Sequence, residues 1–314
     1  MKKAPGGKDQ ANRNTPRGLN AMQLTLTDRF WRAMARYVDR TALRLIPSQP
    51  ILRKLFSLTA RMGAALPKGT AVTEKADGSL HILPTGVAPD APVLLYLHGG
   101  GFTIGSPRTH AALVAHLAAA SGLRAVVPKY RLAPEHPFPA AKLDAIAGFD
   151  ALVQARTPPV AICGDSAGGC LTLQVACHAR DSGAPMPKAL GLLAPIADLS
   201  GEVEARFAEA EDEILIPPSW PERIKDVYLP GMDRDSAEIS PLSDDLTNLP
   251  PTLIQAATGE ALVQDAKRLL DAMDDATLDL WPGLPHVWQL HAGKAPAADA
   301  AIAKIGAFLA AKVA

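Results

Sequence analysis

The sequence predicts an α/β fold, in which helices cover both faces of a mostly parallel sheet. From about Lys75 onwards, short apolar runs of strand length alternate with longer stretches of helix length. Hydrophobic residues make up 48% of the 314 residues, which is enough for a substantial core. Such sheets bind ligands at the carboxyl ends of their strands, so a site is expected in the loops that follow strands.

The alternating region contains the following predicted elements. The strands are Val93–Leu97, Ala125–Pro128, Val160–Cys163, Leu190–Ala194, Thr252–Ala256 and Thr277–Trp281. The helices are Thr109–Ala120, Ala140–Ala155, Gly169–Arg180, Ala261–Met273 and Ala297–Ala311. Between the fourth and fifth strands, an acidic and Pro-rich segment near residues 201–235 predicts a helical insertion.

Two amphipathic helices are predicted before the alternating region. Thr27 or Asp28 can cap the first helix. Its apolar face is formed by Phe30, Met34, Tyr37 and Val38. The apolar face of the second helix is formed by Leu52, Leu55, Phe56 and Met62. Such faces either pack on the core or lie over a pocket as a cap.

The charge balance excludes several classes of partner. Basic and acidic residues are equal at 32 each, and aromatic residues make up only 5%. This composition gives no basic surface for nucleic acid and no polybasic membrane patch. Because no apolar run reaches membrane-spanning length, stable membrane insertion is not expected.

The N-terminal residues and the cysteines indicate the cellular compartment in which the protein is expected. The basic N-terminus has no apolar stretch after it, so it is expected to be a solvated tail and not a signal peptide. Cys163, Cys170 and Cys177 are odd in number and lack Cys-x-x-Cys spacing. They are expected to be buried thiols in a reducing compartment, which predicts a cytoplasmic protein.

The most informative motif is Gly164-Asp165-Ser166-Ala167-Gly168, which follows the third predicted strand. It matches G-x-S-x-G, the pattern of a serine on a sharp strand-to-helix turn. That geometry exposes the hydroxyl of Ser166, which needs a neighbouring base to become a nucleophile. The motif alone is weak, because its residue types are common.

A second motif, His98-Gly99-Gly100-Gly101, follows the strand Val93–Leu97. Consecutive glycines allow backbone N–H groups to cluster, and such donors stabilise the oxyanion of an acyl-transfer reaction. A phosphate-binding loop is disfavoured, because no Gly-Lys-Ser/Thr follows. Gly100, Gly101 and Ala167, the residue after the serine, are the predicted oxyanion donors.

The base and the acid are predicted late in the chain. His286 lies in a turn-rich loop after the last predicted strand, where it can act as a base. Glu260 follows the strand Thr252–Ala256 and can orient the imidazole. Asp265, one helical turn further on, is the competing acid. The order Ser166, Glu260, His286 is that of an α/β-hydrolase.

Taken together, the motifs resemble those of the bacterial hormone-sensitive-lipase family of α/β-hydrolases. The resemblance extends from about residue 90 to the C-terminus. It rests on the two glycine motifs, on Tyr130–Ala141, on Leu249-Pro250-Pro251-Thr252 leading to Glu260, and on Gly283-Leu284-Pro285-His286. Many family members carry Asp-Pro-Leu where this chain has Glu260-Ala261-Leu262.

The resemblance implies an eight-stranded, mostly parallel sheet and a helical cap. It implies residues 1–68 as tail and cap helices, 69–199 and 236–314 as the two parts of the core, and 200–235 as a cap insertion. It also implies that Ser166, His286 and Glu260 are catalytic, while His98, Gly99 and Asp165 support the motifs. Family members often pair through an edge strand, so the resemblance makes a homodimer a candidate assembly and leaves the oligomeric state open.

The predicted activity is a carboxylesterase that hydrolyses short-acyl esters, with no cofactor and no metal ion. A lactonase or an amidase would use the same triad, so these alternatives stay open. A non-catalytic binding protein on the same scaffold is less favoured, because all three triad residues are present. The pocket walls are expected to include Trp31, Phe207, Leu215 and Trp220.

Overall fold

A computed structural model describes residues 23–63, 65–200, 203–232, 236 and 238–314. The basic N-terminal tail lies outside the described residues. The described strands are β1 (Ala71–Glu74), β2 (Leu80–Leu83), β3 (Val93–Leu97), β4 (Arg124–Val127), β5 (Pro159–Asp165), β6 (Ala189–Leu193), β7 (Thr252–Ala257) and β8 (Ala276–Trp281).

These strands form one eight-stranded sheet in the order β1-β2-β4-β3-β5-β6-β7-β8. β2 pairs antiparallel with both β1 and β4, and all other neighbours are parallel. The predicted mostly parallel sheet is therefore confirmed. β1 and β2 were not among the six strands that the apolar pattern predicts.

The helices fall into three groups. The N-terminal group is α1 (Leu26–Met34), a π-helix (Ala35–Asp39), α2 (Arg40–Leu45) and α3 (Gln49–Gly63). The helices between strands are α4 (Pro107–Ser121), α5 (Ala140–Gln154), α6 (Ala167–Ser182), α7 (Val203–Glu209), α8 (Trp220–Tyr228) and α9 (Val263–Ala272), and α10 (Pro296–Val313) ends the fold. None of the helices in the described part combines the length and hydrophobicity needed to cross a bilayer.

The core lies on both faces of the sheet, which explains the continuous apolar strands. Side chains alternate along a strand, so Leu94 and Tyr96 point to one face of β3 while Leu95 and Leu97 point to the other. α4 and α10 cover the first face, and α5, α6 and α9 cover the second. Because both faces are covered, every residue of β3 is buried and hydrophobic.

The predicted cap of the first helix is wrong. Thr25 is the N-cap, and its hydroxyl oxygen accepts from the Asp28 N–H at 3.2 Å. The Asp28 carboxylate accepts from the Thr25 N–H at 3.0 Å, which completes a capping box. The sequence prediction placed the cap two or three residues too late, inside the helix.

The predicted apolar face of the first helix is also largely wrong. Phe30, Tyr37 and Val38 are exposed. Ala35 is buried instead, and Trp31 and Met34 line a cavity. The π-helix explains the exposure of Tyr37 and Val38, since its wider turn takes them off the 3.6-residue period. Phe30 lies before the π-helix, on an exposed side of α1.

One buried and one exposed residue of α5 allow a test of how this helix packs on the core. Phe149 on this helix is fully buried, whereas Leu143 is 52% exposed. We expect Phe149→Ala to lower the free energy of unfolding by about 3–5 kcal/mol, since it leaves a cavity in the core. Leu143→Ala is the matched control and should change it by less than about 0.5 kcal/mol. Denaturant titration measures both, and equal effects would contradict this packing.

Candidate active site

Ser166 occupies a strained turn between β5 and α6. Its backbone has φ 51° and ψ −117°, which a non-glycine residue adopts only when its surroundings enforce it. The Ser166 N–H donates to the Leu193 carbonyl at 2.8 Å, and its own carbonyl accepts from Gly169 and Ile196 at 2.9 and 3.0 Å. These bonds fix the serine at the carboxyl end of β5, where the motif predicted it.

The glycine loop after β3 lies beside this turn, because β3 and β5 are neighbours in the sheet. Gly100 has φ 115°, and a Cβ at this position would lie 2.3 Å from the Ile104 carbonyl oxygen. The loop therefore needs glycine here. Across the described residues, no hydrogen bond uses the N–H groups of Gly100, Gly101 or Ala167, so these donors are free to bind a ligand.

Asp165 anchors this loop from β5. Its carboxylate accepts from the Gly99 N–H at 3.0 Å and from the Tyr96 hydroxyl at 2.8 Å, and it lies 3.4 Å from the His110 ring. Burial acts to raise the pKa of Asp165, but His110 and Tyr96 outweigh it and hold the pKa below its usual value. From its sequence context alone, His110 is expected to be a surface histidine, whereas the ring is buried against this carboxylate.

His98 packs in the same group of side chains that holds the glycine loop. Its ring stacks on Tyr130 with centroids 4.1 Å apart, and its Nδ1 lies 2.8 Å from the Gly99 carbonyl oxygen. Burial and the nearby His110 lower the pKa of His98 to about 3, so the ring is neutral at physiological pH. A neutral ring that bonds the glycine loop can hold that loop in shape.

His286 and Glu260 are in contact, as the sequence predicts. His286 Nδ1 lies 2.6 Å from Glu260 Oε2, and both side chains are buried. Glu260 Oε1 accepts from the Ala257 N–H at 2.7 Å, which fixes the carboxylate at the end of β7. Among the described residues, His286 Nε2 has no hydrogen-bond partner. It lines the same cavity as Ser166.

The carboxylate changes the acid–base behaviour of the imidazole. Burial acts to lower the pKa of His286, but the negative charge of Glu260 and its hydrogen bond outweigh burial, so the pKa is raised above 6.5. The pair can therefore accept a proton at Nε2 and stabilise the resulting cation. A hydroxyl group, an imidazole and a carboxylate in this order can move a proton away from the hydroxyl.

Asp265, the competing acid, contacts other groups. Its carboxylate accepts from the Ala197 and Asp198 N–H groups at 2.8 and 3.1 Å, and it lies 3.0 Å from Arg206 Nε. Burial raises the pKa of Asp265 to about 6. The structure therefore places Glu260, and not Asp265, against the imidazole.

One cavity of about 180 Å³ contains the Ser166 and His286 side chains and the glycine loop. Its remaining wall is mostly apolar and comes from the N-terminal helices and from residues 215–220. Trp31, Leu215 and Trp220 line the cavity, as expected from the sequence. Phe207 does not, because this residue of α7 is buried in the core. No group of three or more His, Cys, Asp or Glu in the described residues could hold a metal ion.

Glu213 is a neighbour of the site that the sequence did not reveal. One carboxylate oxygen accepts from the Leu215 and Ile216 N–H groups at 2.8 Å, and the other accepts from Ala261 at 3.0 Å. Burial raises the pKa of Glu213. Its bonds join the segment that lines the cavity to the residue directly after Glu260. An acidic residue among other acidic residues gives no pattern that could have found it.

Comparison with known proteins identifies the family. Residues 94–290 match the family described as the α/β hydrolase fold. An acetyl-hydrolase of Streptomyces hygroscopicus is 35% identical over 287 residues, which cover 84% of this chain and 96% of that protein. An esterase of Acinetobacter venetianus is 34% identical, covering 69% of this chain and 74% of its own.

A solved structure supports the same family assignment. An esterase of the bacterial hormone-sensitive lipase family superimposes with a TM-score of 0.83 and 32% identity, covering 93% of this chain and all of that one. The chain therefore belongs to the α/β-hydrolase family. Within it, the chain is a carboxylic ester hydrolase of the hormone-sensitive-lipase type, as the sequence motifs predict.

The contact between Glu260 and His286 can be tested without any substrate. We expect Glu260→Gln to lower the pKa of His286, because the imidazolium loses the charge that stabilises it. Asp265→Asn should leave that pKa unchanged, since Asp265 does not contact the ring. Titration of the His286 ring by NMR measures both. An unchanged pKa in Glu260→Gln, or a fall in Asp265→Asn, would contradict the arrangement.

Proposed function

We propose that this protein hydrolyses short-acyl carboxylic esters through a triad of Ser166, His286 and Glu260. Two observations support the assignment. Ser166 is held on a strained turn facing the cavity. His286 lines the same cavity, its Nε2 has no hydrogen-bond partner within the described residues, and its Nδ1 is fixed by Glu260. The second observation carries the proposal, since it leaves the basic nitrogen available to the serine.

In the proposed mechanism, His286 Nε2 takes the proton of the Ser166 hydroxyl as the oxygen attacks the ester carbonyl. Glu260 holds the imidazole in the tautomer that can accept this proton and stabilises the cation that forms. The imidazolium then gives its proton to the departing alcohol. Water, deprotonated by the same ring, attacks the acyl group on Ser166 and releases the acid.

The negative oxygen of each tetrahedral intermediate binds the N–H groups of Gly100, Gly101 and Ala167. Their lack of a partner in the described chain supports this role. Each such donor contributes roughly 3–4 kcal/mol to stabilising the transition state. Asp165 and His98 act only as positioning residues, because their bonds go to the loop and not to the cavity.

The size and polarity of the cavity support a short acyl group. About 180 Å³ is less than the roughly 300–1,000 Å³ of pockets that hold drug-sized ligands. The mostly apolar wall favours an alkyl chain over a charged acid. Because relatives of this chain are described as esterases, we favour an ester over a lactone or an amide as the substrate.

We also propose that residues 1–68 comprise the tail and cap helices and that residues 200–235 are the cap insertion, on a core of residues 69–199 and 236–314. Side chains of α1, α3 and residues 215–220 line the cavity together. Arg32 pairs with Asp212 at 2.7 Å, and Arg40 donates to the Ile216 carbonyl at 2.9 Å, so the two parts are bonded to each other. The pairing of two copies and the cytoplasmic location stay predictions.

The nucleophile is tested by Ser166→Ala. We expect hydrolysis of p-nitrophenyl acetate to fall by at least about a thousandfold, because no other group forms the acyl-enzyme. Ser182→Ala, at the far end of the same helix, is the control and should retain wild-type activity. Hydrolysis by Ser166→Ala at the wild-type rate would refute the proposal.

A series of p-nitrophenyl esters tests the acyl preference. We expect kcat/KM to be highest between the acetyl and hexanoyl esters and to fall for longer chains, because the cavity cannot enclose them. Steady-state kinetics across the series gives the answer. A kcat/KM that keeps rising to the lauroyl ester would show that the short-acyl assignment is wrong.

A further inference from the structure

Asp39 is a charged side chain that the proposed mechanism does not use. It is the last residue of the π-helix, and it lines the same cavity as Ser166. π-helical turns occur often at functional sites, since they turn side chains away from the regular helical face. Here the turn sets a carboxylate into a wall that is otherwise mostly apolar.

No protein group within the described residues neutralises this carboxylate. The Asp39 side chain makes no hydrogen bond and no ion pair there, and although Asp39 is the N-cap residue of α2, its carboxylate makes no capping bond. The neighbouring arginines are used elsewhere, because Arg36 pairs with Asp212, and Arg40 donates to the Glu213 carbonyl at 2.8 Å. Asp165, the other aspartate of the cavity, has three partners.

The surroundings of Asp39 make its charge costly without a ligand. Burial raises its pKa to about 6, which means that the protein does not stabilise the ionised form. At neutral pH the group is still largely ionised. A cation that entered the cavity would therefore gain an ion pair in a partly desolvated place, where such a pair is stronger than in water.

We propose that Asp39 is a specificity-determining residue that binds the ammonium group of a cationic ester. The proposal rests on ester hydrolysis at Ser166 and names the class of ester: an apolar chain that carries a positive charge. The aromatic rings of Trp31 and Phe56 line the same cavity and suit a cation, because ring faces attract positive charge. Anionic esters are repelled by the same carboxylate.

Matched ester pairs test this proposal. The first pair is choline butyrate and its neutral isostere, in which carbon replaces the quaternary nitrogen. The second pair places the same difference in the acyl chain of a p-nitrophenyl ester. We expect the wild-type kcat/KM to favour the cationic member of at least one pair by about tenfold or more, since the two members differ only in charge.

Two variants separate the role of Asp39 from a general effect of charge. Asp39→Asn should reduce the preference to within about twofold by slowing only the cationic ester. Asp226→Asn removes the same charge from an exposed position of α8 that does not line the cavity, and it should retain the full preference. Asp39→Ser supplies a second neutral variant if Asp39→Asn does not fold.

The outcomes distinguish this proposal from the proposed function. No preference in the wild type, or a preference that Asp39→Asn retains, overturns the role of Asp39 while ester hydrolysis stands. If no ester is hydrolysed, the proposed function fails, and calorimetric titration with butyltrimethylammonium then decides the role of Asp39. Binding that weakens in Asp39→Asn but not in Asp226→Asn supports the role, and equal affinities in both overturn it.

Discussion

The tight turn at Ser166 is the constraint on which the rest of the site depends. A Cβ at Gly168 would lie 1.9 Å from the carbonyl oxygen of Leu97, so α6 can begin this close to β3 only because position 168 has no side chain. That approach forces Ser166 into its strained conformation, and bonds to β6 and to α6 hold it there. The same approach puts the Ala167 amide next to the glycine loop that follows β3.

Buried carboxylates position the parts of the site around this turn. Asp165 bonds the glycine loop, and Glu260 bonds His286. Glu213 bonds the backbone of two segments, one that lines the cavity and one that follows Glu260. Asp212 extends this connection to the N-terminal helices. Its N–H donates to the Gly259 carbonyl at 3.0 Å, while its carboxylate pairs with arginines of those helices. The segment that lines the cavity is thus bonded to the loop that carries Glu260. Asp39 differs from all of these groups, because no residue in the described part of the chain bonds or pairs with its side chain.

The sequence predicts the parallel strands well, since most of them are short, buried and predominantly apolar. It misses β1, whose four residues are mostly exposed and do not alternate. Ser166, His286 and Glu260 could be found because each follows a strand, and the sheet gathers strand ends at one edge. Asp39 and Glu213 could not be found in this way. Each lies among other charged residues, and only tertiary packing, including a π-helical turn, places them beside the cavity.

Activation of Ser166 by His286 can be tested by covalent labelling with diethyl p-nitrophenyl phosphate, followed by mass spectrometry of the intact protein and of its peptides. We expect one phosphoryl adduct, located on Ser166, which forms far more slowly in His286→Ala. An adduct on another residue while Ser166 stays unmodified, or labelling that is equally fast without the imidazole, would contradict this activation.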